Sequence, residues 1–157
     1  MSDLPYRHCA GFMLVNAQDK VFVGQRMEKR ARGTWQMPQG GIDLGEDPRV
    51  AAFRELEEET GISADLVEII AAAAHPIRYD LPPDLLGKVW KGKYRGQEQY
   101  WFLGRFLGTD ADVNLEAHNP PEFDAFRWVD AAQLTDLIVP FKRELYEKVV
   151  AEFAGKI

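Results

Sequence analysis

The segment from Asp47 to Gly61, DPRVAAFRELEEETG, limits the folds open to this chain more than any other. Asp47 is a residue type that caps helix N-termini, and Pro48 stands where its missing N–H costs nothing. Gly61 is an equally good stop, because glycine accepts the left-handed conformation that ends many helices. The spacing predicts a helix over Pro48 to Thr60. At about 100° per residue, Glu55, Glu58 and Glu59 share one face. Ala51 and Ala52 continue that face one turn earlier and are small enough to leave room for an approaching group. Phe53, Leu56 and Thr60 take roughly the opposite face and are expected to pack on a sheet. Arg54 lies between the two faces, and Glu57 lies nearer the edge of the packed side. Carboxylates at these spacings repel by a few tenths of a kcal/mol per pair, and negative charge in the last turn opposes the helix dipole. A solvated acidic face is one reading. The other is a divalent cation, which takes oxygen ligands and holds phosphate oxygens at the same time.

The flanking sequence predicts strands around this helix. Cys9 to Asn16 and Val21 to Gln25 are apolar runs separated by a turn, and they suggest a hairpin. Glu28 to Thr34 is a basic loop, and Trp35 to Asp43, rich in Gly and Pro, reads as irregular. Leu66 to Ala73, Glu98 to Leu107 and Phe123 to Val129 are further strand candidates, with a short extended piece between Pro76 and Pro83. A basic loop spans Lys88 to Arg95. Ala131 to Leu137 reads as a short helix. Phe141 to Phe153 reads as an amphipathic one with Leu145, Val149 and Phe153 on one stripe. Strands and helices intermix without a regular βαβ repeat, which suggests a mixed sheet flanked by helices.

A chain of 157 residues with no internal repeat or long linker is expected to form a single domain over 1–157. No apolar run is long enough for a membrane span, and the N-terminus lacks the pattern of a secretory signal. The single Cys9 cannot form an internal disulfide and reads as a buried small hydrophobe, so a reducing, cytoplasmic setting is expected. A net charge of −6 argues against bulk attraction to nucleic acid or anionic membrane, so stable binding of double-stranded DNA is not expected. A polyanionic ligand would need bound cations and a local basic patch.

The loop Pro38-Gln39-Gly40-Gly41 can expose backbone carbonyls beside the helix. Gly40, Glu46, Arg54, Glu55, Glu58, Glu59 and Gly61, with Leu56 and Ile62 as aliphatics, stand at the spacing G-x5-E-x7-R-E-U-x-E-E-x-G-U, where U is an aliphatic residue. All nine defined positions across these 23 residues resemble the signature box of the Nudix hydrolases, here Gly40 to Ile62. That resemblance implies an α/β/α sandwich around a mixed sheet. It implies cleavage of pyrophosphate bonds in derivatives of nucleoside diphosphates, with Mg²⁺ or Mn²⁺ as cofactor. By position, Glu55, Glu58 and Glu59 are implied metal ligands, with a backbone carbonyl near Gln39 or Gly40 completing the shell. Glu58 is also a candidate base, Arg54 would hold a glutamate in place, and Glu46 would brace the loop–helix junction.

The likeness runs beyond the box. WQMPQGGID, Tyr79, GQEQYWFL, PEFDAFRWV and FKRELYEKV are similar to one branch of the family. That branch holds the bacterial RNA 5′-pyrophosphohydrolases and the asymmetrically cleaving diadenosine tetraphosphate hydrolases. It implies a further metal-binding or water-activating carboxylate at Glu122. Arg7 and Arg26 match phosphate-contacting positions, Tyr79 and Phe141 are candidates for stacking on a base, and Lys142 could meet a phosphate. Lys29, Arg30, Arg32, Lys88, Lys91, Lys93 and Arg95 are candidates for the basic patch. Pro76 stands close to where ADP-ribose hydrolases carry a proline, but the flanking motifs outweigh it. His75 is set aside as a base. The chain stops at Ile157 with no basic tail, a departure from the RNA-acting members that suggests few RNA contacts. The expected partner is a nucleotide polyphosphate or an RNA 5′ end. A Nudix hydrolase of oxidised nucleoside triphosphates or ADP-ribose is the alternative that the resemblance leaves; a non-catalytic nucleotide-binding module is the reading from another class, and the complete set of box glutamates disfavours it.

Overall fold

The computed structural model describes residues 3–27 and 33–157. Lys29, Arg30 and Arg32 lie outside the described residues. Eight strands form one mixed sheet: β1 (Tyr6–Val15), β2 (Val21–Arg26), β3 (Trp35–Gln36), β4 (Gln39–Gly41), β5 (Val67–Ala72), β6 (Ile77–Asp80), β7 (Gly96–Phe106) and β8 (Phe123–Val129). Three α-helices among the described residues complete the layers: α1 (Pro48–Thr60), α2 (Leu134–Leu137) and α3 (Arg143–Phe153).

The sheet is organised by β1 and β7, which run parallel in unbroken register from Tyr6 opposite Gly96 to Val15 opposite Arg105. Their apolar stretches, Cys9 to Val15 and Tyr100 to Leu103, are continuous because both faces are covered. On one face Ala10, Phe12, Leu14, Phe102 and Phe106 pack with Ala51, Ala52 and Leu56 of α1. On the other, Met13, Val15, Trp101 and Leu103 pack with Leu145, Tyr146, Val149 and Phe153 of α3. This is the α/β/α sandwich implied by the box. No helix among the described residues is long and apolar enough to cross a membrane.

Helix α1 has the boundaries its caps predict. Asp47 accepts from the N–H of Arg49 at 2.8 Å, and Gly61 ends the helix at φ 73°. Three expectations about this region change. Ala51 and Ala52 are fully buried against the sheet, so their small size serves close helix–sheet approach rather than access for a ligand. Glu57 faces solvent, because the buried stripe runs through Ala52, Leu56, Glu59 and Thr60. The stretch from Trp35 to Asp43 is not irregular throughout: it holds β3 and β4 on either side of Pro38.

The first hairpin forms only at its base, where Val15 pairs with Val21. Beyond that point β1 turns to β4 and β7, while β2 turns to β3 and β8. The strands splay, and the gap between them becomes the cleft described below. Its rim is shaped by a register shift between Gln25 and Arg26 in the β2–β8 pairing. Gly24 makes this possible, since a Cβ there would stand 2.3 Å from Cδ2 of Phe123. The shift brings the N–H of Met27 to the carbonyl of Glu122 at 3.3 Å. At the C-terminus the expected helix begins later, at Arg143, and Phe141 lies in a short turn over Pro140–Lys142.

Candidate active site

Arg54 organises the acidic face of α1. Its Nε and Nη2 grip the two oxygens of Glu46 at 2.8 Å each, and Nη2 also donates to the carbonyl of Gly41 at 2.8 Å. Its Nη1 reaches Glu55 at 3.1 Å and Glu58 at 3.3 Å. One fork thus ties the loop before the helix to two carboxylates on it, a geometry that lysine cannot reproduce. The guanidinium, helped by the Asp43 N–H at 2.9 Å, holds the Glu46 carboxyl down at about 2.

Glu55 and Glu59 behave in the opposite way. Burial, and then the charge of Glu58, pushes Glu55 up to about 7. Glu59 is raised well above the ordinary range by burial, then by Glu55 and Glu122; the Gln39 N–H, at 3.2 Å, opposes this. Both carboxyls are held where their charge is poorly tolerated without a compensating cation. Glu122 comes from the loop before β8, is half exposed, and has Arg26 Nε at 3.8 Å.

Three observations test whether a metal ion fits. The converging donors are all oxygens, the set that hard divalent cations select. The side-chain oxygen of Gln39 is buried in the same wall with no hydrogen-bond partner. Gly40 has no side chain to spare: a Cβ there would stand 1.9 Å from Oε2 of Glu55, so only glycine lets that carboxylate lie over the β4 backbone. Among the described residues no three His, Cys, Asp or Glu side chains already surround one point, because Arg54 and the Gln39 N–H hold the glutamates as they stand. The residues fit a divalent cation that would replace these partners in part.

The carbonyl expected from Gly40 needs correction. The pairing phase of β1 and β4 is set by Phe12 N–H to Pro38 O at 3.0 Å and by Ile42 N–H to His8 O at 2.9 Å. With Gly40 opposite Ala10, that phase turns the Gly40 carbonyl toward β1 and those of Gln39 and Gly41 away from it. The Gly41 carbonyl is taken by Arg54, which leaves Gln39 as the backbone oxygen facing α1.

A cleft of about 320 Å³ opens where β1 and β2 splay. Glu55, Glu59 and Glu122 line it together with Arg7, Arg26 and Lys142, so acidic and basic side chains far apart in the sequence share one cavity. A second hollow of about 330 Å³ adjoins the same carboxylates, with Glu58 and His118 in its wall.

The aromatic pair forms no slot for a base between its two rings. Tyr79 is 8% exposed and belongs to the core. Its ring centroid lies 6.0 Å from that of Phe141, and Lys142 Nζ stands 5.4 Å from the Tyr79 ring. The two rings touch each other and leave no gap for a base between them. The Tyr79 hydroxyl, buried without a partner, is pushed upward in pKa by that burial. Arg95 is also committed elsewhere, in a two-pronged pair with Asp80 at 2.7 and 3.2 Å. Lys88, Lys91 and Lys93 are not among the residues lining the cleft.

Sequence reasoning missed two lining residues, Trp90 and Gln97. Gln97 begins a buried chain along one face of β7: Trp101 Nε1–H donates to Gln99 at 2.8 Å, and the Gln99 amide donates to Gln97 at 2.6 Å. Its signal was legible as glutamines alternating at Gln97 and Gln99 ahead of the apolar run Tyr100 to Leu103.

The Nudix domain family matches residues 5–149 of this chain. An RNA pyrophosphohydrolase of Erythrobacter litoralis is 60% identical over 155 residues, covering 99% of this chain and 94% of that one. One from Novosphingobium aromaticivorans is 58% identical over 154 residues, covering 98% and 96%. Among solved structures, the E. coli dihydroneopterin triphosphate pyrophosphohydrolase superposes with a TM-score of 0.70 at 20% identity, covering 94% of this chain and 98% of that one, a likeness of fold. Nudix hydrolases generally use divalent metals, in keeping with the oxygen donors gathered around α1. With the box complete and the match spanning nearly the whole chain, the protein belongs to the Nudix family of pyrophosphate-cleaving hydrolases.

Proposed function

We propose that the chain is a single cytoplasmic domain that removes pyrophosphate from the 5′-triphosphate end of RNA. The observation that carries this reading is the shared cleft, where Arg7, Arg26 and Lys142 face Glu55, Glu59 and Glu122. Such a cavity suits a run of phosphates whose charge is met by cations on both sides. The names and full-length similarity of the relatives support the RNA end as substrate.

In this reading Glu55, Glu58, Glu59 and Glu122, with the Gln39 carbonyl, hold Mg²⁺ or Mn²⁺. When bound, the cation supplies Lewis acidity toward the phosphates and acidifies an attacking water. The chain's own residues do the rest. Arg7, Arg26 and Lys142 bind the phosphates and fix the scissile bond. One carboxylate, Glu58 or Glu122, accepts the proton of the water, the base role that such chemistry needs. Arg54 positions Glu55 and Glu58 and does not touch the substrate.

A second substrate, diadenosine tetraphosphate cleaved to ATP and AMP, follows from the same grip and is favoured by the net charge of −6, which gives a long RNA little to bind. Product analysis on triphosphorylated RNA, diadenosine tetraphosphate, nucleoside triphosphates and ADP-ribose tests both. Release of pyrophosphate with a 5′-monophosphate RNA end is expected. Cleavage of ADP-ribose alone would overturn the substrate assignment.

A further inference from the structure

We propose that the buried indole of Trp101 sets the hydrogen-bonding sense of the cleft floor, holding Gln97 through Gln99 with its amide N–H groups toward the cleft. The consequence for catalysis rests on the phosphate-binding reading above. Trp101, Gln99 and Gln97 alternate along β7 and so share one face of the sheet. Of the three, Gln97 lines the cleft; Gln99 and Trp101 are each 1% exposed beneath it. The indole is closely held. Tyr146 meets it edge-on with ring centroids 6.2 Å apart, and Gly11 makes room for it, since a Cβ there would stand 3.0 Å from the ring.

The sense of the chain follows from the indole. An indole N–H donates and cannot accept, so the side-chain oxygen of Gln99 must face it. The Gln99 NH₂ then points along the strand, and the side-chain oxygen of Gln97 must turn to meet it. Gln97 is left with its NH₂ on the cleft side, where no described residue accepts from it. Satisfying a core indole takes one acceptor. A second glutamine, itself 2% exposed, carries the order outward to the cleft.

Arg7 feels the result. It stands opposite Gln97 in the parallel β1–β7 register, and both line the cleft. Its contacts are the Cys9 sulfur at 3.7 Å, a weak acceptor, and the Trp90 ring, whose centroid is 5.8 Å away. A Gln97 turned the other way would offer its oxygen to this guanidinium, in a charge-assisted bond that a phosphate would have to displace. The chain from Trp101 prevents that pairing. Two donors, Arg7 and Gln97, stay side by side with no protein oxygen between them. Trp101 and Gln99 are thus positioning residues, acting on the phosphate-binding arginine without touching the substrate.

Side-chain amide exchange in the free, isotope-labelled protein reads the sense directly, with Gln97→Leu assigning the signals. The Gln99 NH₂ should be protected, and the Gln97 NH₂ should exchange readily with water. Trp101→Phe keeps a ring and removes the donor, so the Gln97 NH₂ should gain protection as the amide reverses. On triphosphorylated RNA, Trp101→Phe should raise KM about tenfold with kcat little changed, the worth of one hydrogen bond to a charged group. In a Gln97→Leu background the same substitution should leave KM where it is, although the melting point still falls. A protected Gln97 NH₂ in the wild type would overturn the proposal. So would a KM unmoved by Trp101→Phe, or an equal rise in the Gln97→Leu background, since a merely structural indole gives either result. If Trp101→Phe does not fold, Gln99→Met breaks the same chain and is judged by the same outcomes. Should the wild type cleave diadenosine tetraphosphate and not RNA, the RNA reading falls, and exchange together with the same cycle on that substrate still decides the role of Trp101.

Discussion

Glu55 and Glu59 hold protons more tightly than a free glutamate and Glu46 less tightly, so they pull stability in opposite directions with pH. Glu46, depressed from 4.5 to about 2, contributes stability above its unfolded value that is lost as pH falls toward 2. Glu55, raised to about 7, contributes below its unfolded value and loses that contribution as pH rises through about 7. The metal-free protein is expected to melt at lower temperature at about pH 8 than at about pH 5, and Mg²⁺ should raise the melting point more at the higher pH, where it competes with fewer protons. Thermal melts with chelator and with Mg²⁺ check this; a metal effect independent of pH would count against these carboxyls as ligands. Glu58→Gln and Glu59→Gln should lower kcat by about 100-fold or more, while solvent-facing Glu57→Gln should change it little. Steady-state kinetics decides it, and equal losses in all three would sink the assignment by face. Glu122→Gln should reduce kcat more than it raises KM; a change in KM alone would make Glu122 a binding residue.

Helix α1 does two jobs along one length. Its first turns press Ala51 and Ala52 into the sheet, which brings the last turn, with Glu58 and Glu59, down beside β4. The Gln39 N–H to Glu59 contact at 3.2 Å depends on that close approach. Ala52→Leu is therefore expected to destabilise the fold by about 1–3 kcal/mol through overpacking, measured by urea denaturation. Metal affinity should fall as well, because α1 must lift away from β4. Unchanged affinity in a destabilised variant would separate the two jobs.

For the whole molecule, the balance of charge sets how it meets RNA. The net charge is −6, and Arg95 is tied to Asp80, while Arg7, Arg26 and Lys142 line the cleft. If those three meet phosphates, the logarithm of RNA affinity should fall with the logarithm of salt with a slope of about −2. Titrations of labelled triphosphorylated RNA across salt concentrations, with a catalytically dead variant, measure it. A slope several times steeper would mean contacts well beyond the cleft.

The capped segment was enough to place α1 and its acidic face, because these depend on local periodicity and residue type, and the sandwich was implied by the resemblance that the box carries. Gly40 to Ile62 carries that information within one turn-and-helix unit. What the sequence could not reveal depended on contacts between distant segments. The burial of Ala51 and Ala52 follows from how closely α1 meets β1. The Gly40 carbonyl is turned away by the register of β4 on β1, and a shift of one residue would reverse it. Tyr79 and Phe141, 62 positions apart, look like two free rings until the packing of α3 against β6 brings them into contact. Trp90 reads as one aromatic among lysines, and only the loop's left-handed backbone turns its ring toward the cleft. Periodicity reports which way a side chain faces on its own element; what stands opposite is decided by tertiary packing.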